Sequence, residues 1–161
     1  MVETGFKPVS TSVGNRSPFA DEDKYRTRNN ECRMIREYLI LKHVLMYMGK
    51  RLVDFAVRII RTAESLPKTR AGNNIAGCGT SPAPNYGEAQ SAESRSDFIH
   101  KMKVSLKELR ETRTWLLMIV KANLIKPPSK LEPLINENNE LISIFVTSVK
   151  TAKQKEGKKT S

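Results

Sequence analysis

The sequence predicts an all-α protein, an antiparallel up-down four-helix bundle over residues about 50–155, preceded by a disordered or loosely helical N-terminal extension. Three observations carry this. Apolar residues recur every three or four positions in long segments, the signature of helices with one buried face. Prolines and glycines punctuate those segments at short intervals, so consecutive helices pack as antiparallel neighbours. At 161 residues, 39% hydrophobic and 28% charged, the chain has room for one globular core and little more.

Residues 1–30 are polar and aperiodic and read as disordered. Residues 32–48 (CRMIREYLILKHVLMYM) are apolar all round and poorly patterned, which fits a short helix that Gly49 interrupts. The first extension thus covers 1–47, the bundle 48–155, and a charged tail 156–161. A first clear helix runs from about Lys50 to Leu66, with Leu52, Phe55, Ala56, Ile59, Ala63 and Leu66 on one face; Pro67 ends it. The second is broken, roughly 69–77 and 82–91, with Ser81 as cap and Pro82 at the first position of its second part. The third starts at a Ser94 or Ser96 cap and runs to about Asn123. Its stripe is Phe98, Met102, Leu106, Leu109, Leu116 and Val120; Trp115 and Ile119 widen it enough to serve as core or as an oligomer contact. After Pro127-Pro128, a fourth helix spans about Leu131–Lys153, lined by Leu134, Leu141, Phe145 and Val149 with Asn138 central among them.

The charge points to a class of partner. Net charge is +11, and residues 48–161 hold 20 Lys+Arg against 11 Asp+Glu, so +9 lies on the part expected to fold. Such a surface favours polyanions, nucleic acid above all, although it also serves solubility alone. At 100° per residue, Lys103, Lys107, Arg110 and Lys121 fall close together on the third helix, a stripe suited to phosphate contacts or simply a solvated face. Arg58 and Arg61 lie off the apolar face of the first. Aromatic interleaving and a helix-turn-helix are lacking, so base reading is not indicated.

Two polar residues break the apolar pattern. Arg113 falls inside the third helix's stripe, where it either snorkels out, pairs with Glu88 or faces a subunit. Asn138 either fixes register or oligomer state, or sits satisfied at a bundle end.

Chemistry is not asked for. Cys32 and Cys78 suffice for neither a disulfide framework nor a zinc site, and His43 and His100 show no metal-binding spacing. Gly77-Cys78-Gly79-Thr80-Ser81 lacks the lysine and preceding strand of a phosphate loop. Asp54, Glu88 and Asp97 form no evident acid pair. Catalytic residues, metal, cofactor and small-molecule substrate are therefore all expected to be absent. With neither a secretory signal nor a membrane span in the sequence, the expected setting is the cytoplasm.

Three blocks then become recognisable: FAVRIIRTAESLPKTRAGNNIAG, GTSPAPNYGEAQSAESRSDFIHKMKVSLKELRETRTWL and LEPLINENNELISIFVTSVKTAK. Together they closely resemble the bacterial four-helix-bundle family, also called the 23S ribosomal RNA intervening-sequence proteins. The resemblance implies a four-helix protomer, a ring-like homopentamer and no enzyme activity. Some members are encoded within insertions in ribosomal RNA genes. A related basic bundle accompanies a reverse transcriptase. The expected function is nucleic-acid association (RNA or DNA) by a non-enzymatic homo-oligomer; the alternative is a protein-interaction scaffold or accessory subunit with no direct nucleic-acid role. Two departures stand out. About one helical turn is missing before Gly79-Thr80-Ser81, and residues 1–45 match nothing in the family pattern, so they read as a non-family extension or an upstream start wrongly assigned.

Overall fold

The structure, a computed structural model, describes residues 18–68 and 70–157. It is all-α: α1 (Pro18–Glu64), α2 (Arg70–Thr80), α3 (Pro82–Gln90), α4 (Arg95–Lys121), a 3-10 turn (Pro128–Leu131) and α5 (Glu132–Gly157). The chain divides into two units between His43 and Val44.

In the first unit, residues 18–43 are helical throughout. The helical alternative for the N-terminal extension is the one seen from Pro18 on; residues 1–17 lie outside the described residues. The sequence there suits a helix start, with Pro18 at the first position and acids at 21–23 near the positive end of the helix dipole. Gly49 does not interrupt α1 either. A glycine inside a helix costs only about 0.5–1 kcal/mol, and the apolar side chains of Leu45, Met48 and Leu52 around it pack into the core.

The second unit is the bundle. Its core takes Leu52, Phe55 and Ile59 from α1, Ile75 from α2, and Tyr86 and Ala89 from α3. Met102, Leu109, Leu116 and Ile119 come from α4, and Leu134, Leu141 and Phe145 from α5. The Tyr86 and Phe145 rings meet edge to face at 5.8 Å. Antiparallel direction shows in the contacts. Gly49 lies beside Gln90 and Tyr86, whereas Ile59, ten residues on, lies beside Gly79. Likewise Lys101 reaches Glu88 while Ser105 reaches Pro82.

The second helical layer is broken as expected, but not by a cap. Ser81 has helical dihedrals (φ −57°, ψ −33°) and its side chain makes no capping bond. Its N–H still donates to Gly77 O, and Asn85 N–H donates to Ser81 O. The break arises because Pro82 and Pro84 have no N–H to donate. Although α2 is short, Ile75 and Cys78 are buried, so it fills its place in the core.

The ends of α4 follow sequence rules closely. Ser94 Oγ accepts from Asp97 N–H at 3.1 Å, with extended dihedrals, so Ser94 is the cap. At the other end Asn123 adopts φ 54°, a left-handed conformation asparagine tolerates, and Leu124 N–H donates back to Ile119 O.

Two glycines two residues apart give a sharp test. A Cβ on Gly79 would sit 2.6 Å from Ile59 Cγ2, whereas a Cβ on Gly77 would meet nothing within 4 Å. We expect Gly79→Ala to cost about 1–3 kcal/mol through overpacking. Gly77→Ala should be neutral or stabilise by up to about 1 kcal/mol, because alanine is the better helix former. Urea denaturation of both variants checks this; equal midpoints would contradict the close α1–α2 approach.

Candidate nucleic-acid interface

Core packing decides which side of α4 faces water. Met102, Ser105, Leu109, Thr112, Leu116 and Ile119 are buried. At 100° per residue this leaves Lys103, Lys107, Arg110 and Lys121 on the opposite side, and all four are exposed. His100 and Thr114 lie on the same ridge and are also exposed. From Lys103 to Lys121 the ridge rises about 27 Å. Among the described residues, the ion pairs are Arg33 with Glu37, Arg51 with Glu137 and Glu140, and Lys101 with Glu88. None involves the four ridge cations. Lys101, off the ridge, is held above its ordinary pKa chiefly by the hydrogen bond to Glu88.

Arg58 and Arg61 do not join this ridge. α1 contacts α2 at Ile59–Gly79 and α5 at Arg51–Glu137; α4 contacts α3 at Ser105–Pro82 and α5 at Leu109–Asn138. Helices α1 and α4 therefore occupy opposite corners of the bundle. Arg58 is half-buried and lines a groove with Asp54 and Glu137, so acids share its surroundings; Arg61 is exposed.

Arg113 is not in the apolar stripe. Thr112 takes that buried position, and Arg113 is exposed, its Nε donating to Asn139 Oδ1 at 2.9 Å on α5. Glu88 goes to Lys101 instead. Of the two residues expected at an oligomer contact, Ile119 is fully buried within its own chain. It is a core residue and is unavailable to a second copy. Trp115 is half-buried and packs against the same core. Sequence reasoning missed Val53, Val57 and Ile60, which are exposed on α1. Their spacing of four and three places them together off the core face, a signal obscured by the stronger inward stripe.

Asn138 is fully buried at mid-bundle, not at a bundle end. Its Nδ2 donates to Leu109 O at 3.0 Å, tying α5 to α4, while Oδ1 has no partner. Arg51 ties α1 to α5: its Nε reaches Glu137 Oε1 at 2.6 Å and its Nη2 reaches Glu140. That pairing with Glu137 raises the Arg51 pKa further above its already high value.

The glycine-rich stretch 77–81 is mostly helix. Thr80 Oγ1 donates to Ala76 O at 2.7 Å, and Ser81 N–H is already bonded to Gly77 O. No described residues form a group of three or more His, Cys, Asp or Glu able to hold a metal. No helix among the described residues is long and apolar enough to cross a membrane. Cys32 is exposed and Cys78 is buried.

The family model described as 23S rRNA-intervening sequence protein matches residues 47–147. Among solved structures, the chain is similar to a protein of unknown function from the S23 ribosomal protein family of Bacteroides thetaiotaomicron VPI-5482. Identity is 30%, the match covers 63% of this chain and 97% of that one, and the TM-score is 0.61. No curated protein matches the chain.

Two variants and one thiol test the interior of the bundle. Asn138→Leu removes an unsatisfied buried acceptor, so urea stability should hold or rise, by up to about 1–3 kcal/mol. A large loss would show that Oδ1 has a partner. Burial pushes the Cys78 thiol pKa up. A thiol raised in the folded state contributes its stability below the unfolded value and loses it as pH climbs past about 8.5 toward the folded value. A Cys78→Ala variant should therefore show a shallower decline of stability above that pH. A thiol reagent at neutral pH should modify Cys32 quickly and Cys78 only on unfolding.

Proposed function

The chain belongs to the 23S rRNA-intervening sequence protein family, and from that premise we propose that it is a non-enzymatic, homo-oligomeric bundle that binds RNA or DNA through phosphate contacts. The observation that carries this reading is the α4 ridge: Lys103, Lys107, Arg110 and Lys121, exposed, on one line and free of ion pairs among the described residues. Unpaired cations hold condensable charge for a polyanion without first breaking an internal bond. The family match supports the nucleic-acid reading; the homo-oligomer is taken to be a pentamer by resemblance to that family, and its setting to be the cytoplasm. The sequence carries neither aromatic interleaving nor a helix-turn-helix, so binding is expected to be indifferent to base sequence.

A second reading, a protein-interaction scaffold or accessory subunit, is favoured by exposed Val53, Val57 and Ile60 on α1. A pull-down repeated after nuclease treatment separates the two, since a partner held through nucleic acid is lost with it.

The direct test is a binding titration of the full chain with labelled RNA and duplex DNA between about 50 and 200 mM salt. Affinity should fall steeply with salt. Replacing Lys103, Lys107 and Arg110 together by glutamine should lower the slope of log affinity against log salt by about 2–3. Replacing Arg58 and Arg61 by glutamine should change it less, because they lie at the opposite corner. No binding at low salt, or an unchanged slope in the triple variant, would remove the proposal.

A further inference from the structure

Residues 34–44 of α1 form three helical turns whose large side chains are mostly bare. Met34, Ile35, Tyr38, Leu39, Ile40 and Val44 are each more than half exposed. This segment precedes the family match, which starts at residue 47. An isolated helix this apolar would be poorly soluble, and helices apolar on nearly every side are ordinarily buried.

Its spacing says how. The α1 residues that enter the bundle core are Leu45, Met48, Leu52, Phe55 and Ile59, separated by three, four, three and four positions. Continued toward the N-terminus, the same alternation falls on positions 41, 38 and 34, which are leucine, tyrosine and methionine. This is a heptad seam with a at 38, 45, 52 and 59, and d at 34, 41, 48 and 55. Beyond 34 it stops, since 31, 27 and 24 are Glu, Thr and Lys. The seam is therefore covered from Leu45 onward by the chain's own helices, while Met34 and Tyr38 on it are exposed.

The charges indicate the occupant. Glu37 stands at g and Lys42 at e, five residues later. In a parallel, in-register coil, g of one helix faces e of the next heptad on its neighbour, so Glu37 meets Lys42 of the second copy, and the reverse pair forms by symmetry. An antiparallel pairing would instead bring like positions together. Arg36 and His43 both fall at f, on the ridge farthest from the seam. Among the described residues Glu37 is ion-paired with Arg33, Nε at 3.6 Å, and both side chains are exposed, so it is weakly held.

We infer that residues 34–44 of α1 are a self-association segment that pairs in parallel and in register with the same segment of another copy of this chain. The short length is not an obstacle. The segment extends a helix already nucleated and anchored in the bundle, so the usual penalty on short helices does not apply. The pairing is independent of the nucleic-acid ridge and of any assembly through the bundle itself.

Disulfide trapping in the full chain tests it, with Cys32→Ser as background because Cys78 is buried. Tyr38→Cys places a thiol at a, where symmetry brings the two copies within disulfide reach; Arg36→Cys places one at f, far apart. Under mild oxidation, Tyr38→Cys should form covalent dimer about tenfold faster or more than Arg36→Cys. Adding Glu37→Lys should slow trapping, and adding Lys42→Glu to that should restore it. Equal rates at 36 and 38, no dimer at either, or faster trapping with Glu37→Lys alone would overturn the inference. The last result would show that position 37 does not face Lys42 of the second copy, and the second that the segment is covered by something other than this chain.

Discussion

The close approach of α1 and α2 sets the geometry of the bundle. Ile59 lies so near Gly79 that no side chain fits between them. That contact fixes how far α2 can tilt, and with it where Ile75 and Cys78 enter the core. It also explains how a helix only eleven residues long, carrying three glycines, holds its position. Local propensity is poor, but the packing permitted by one of those glycines compensates. Gly79 is indispensable to that contact and Gly77 is not, although the sequence presents them alike.

A second constraint operates where α4 meets α5. Ser105, Thr112 and Asn138 are fully buried. The two hydroxyls satisfy themselves by donating to carbonyls one turn back, Thr112 to Glu108 and Ser105 to Lys101. They behave as small core residues that need no partner from another helix. Asn138 differs, because its bond crosses from α5 to Leu109 on α4. Sliding α5 by one turn would leave Nδ2 as well as Oδ1 without a partner in an apolar interior, which is costly. With Arg51 reaching Glu137 from the opposite side, α5 is located by polar contacts on both flanks.

Much of this was legible in the sequence. Three- and four-residue spacing located the inward faces of α1, α4 and α5, and Ser94 and Pro67 marked ends because caps and prolines act locally. Legibility failed where a tertiary contact outweighed a local preference. Gly49 reads as a break, yet the core contacts flanking it carry α1 through. Ser81 reads as a cap, yet prolines on its C-terminal side make the interruption without it. Arg113 reads as part of the apolar stripe, yet Thr112 beside it is the buried residue, since a broad stripe leaves its edge positions open to either. For the ridge, helix periodicity puts Lys103, Lys107, Arg110 and Lys121 on one face of α4, and all four are exposed. It could not place Arg58 and Arg61, because the relation between α1 and α4 depends on how the bundle closes.

The ridge has a cost as well as a use. Four like charges spaced along one helix, without acidic partners among the described residues, repel one another whenever the surface is bare. Dissolved salt relieves that repulsion and so steadies the free bundle, while the same salt loosens any polyanion held there. A bound polyanion relieves it too, and by linkage stabilises the folded chain in proportion to its occupancy. Ionic strength thus acts with opposite sign on the fold and on the complex, and dilute buffer is the condition in which the two depend on each other most.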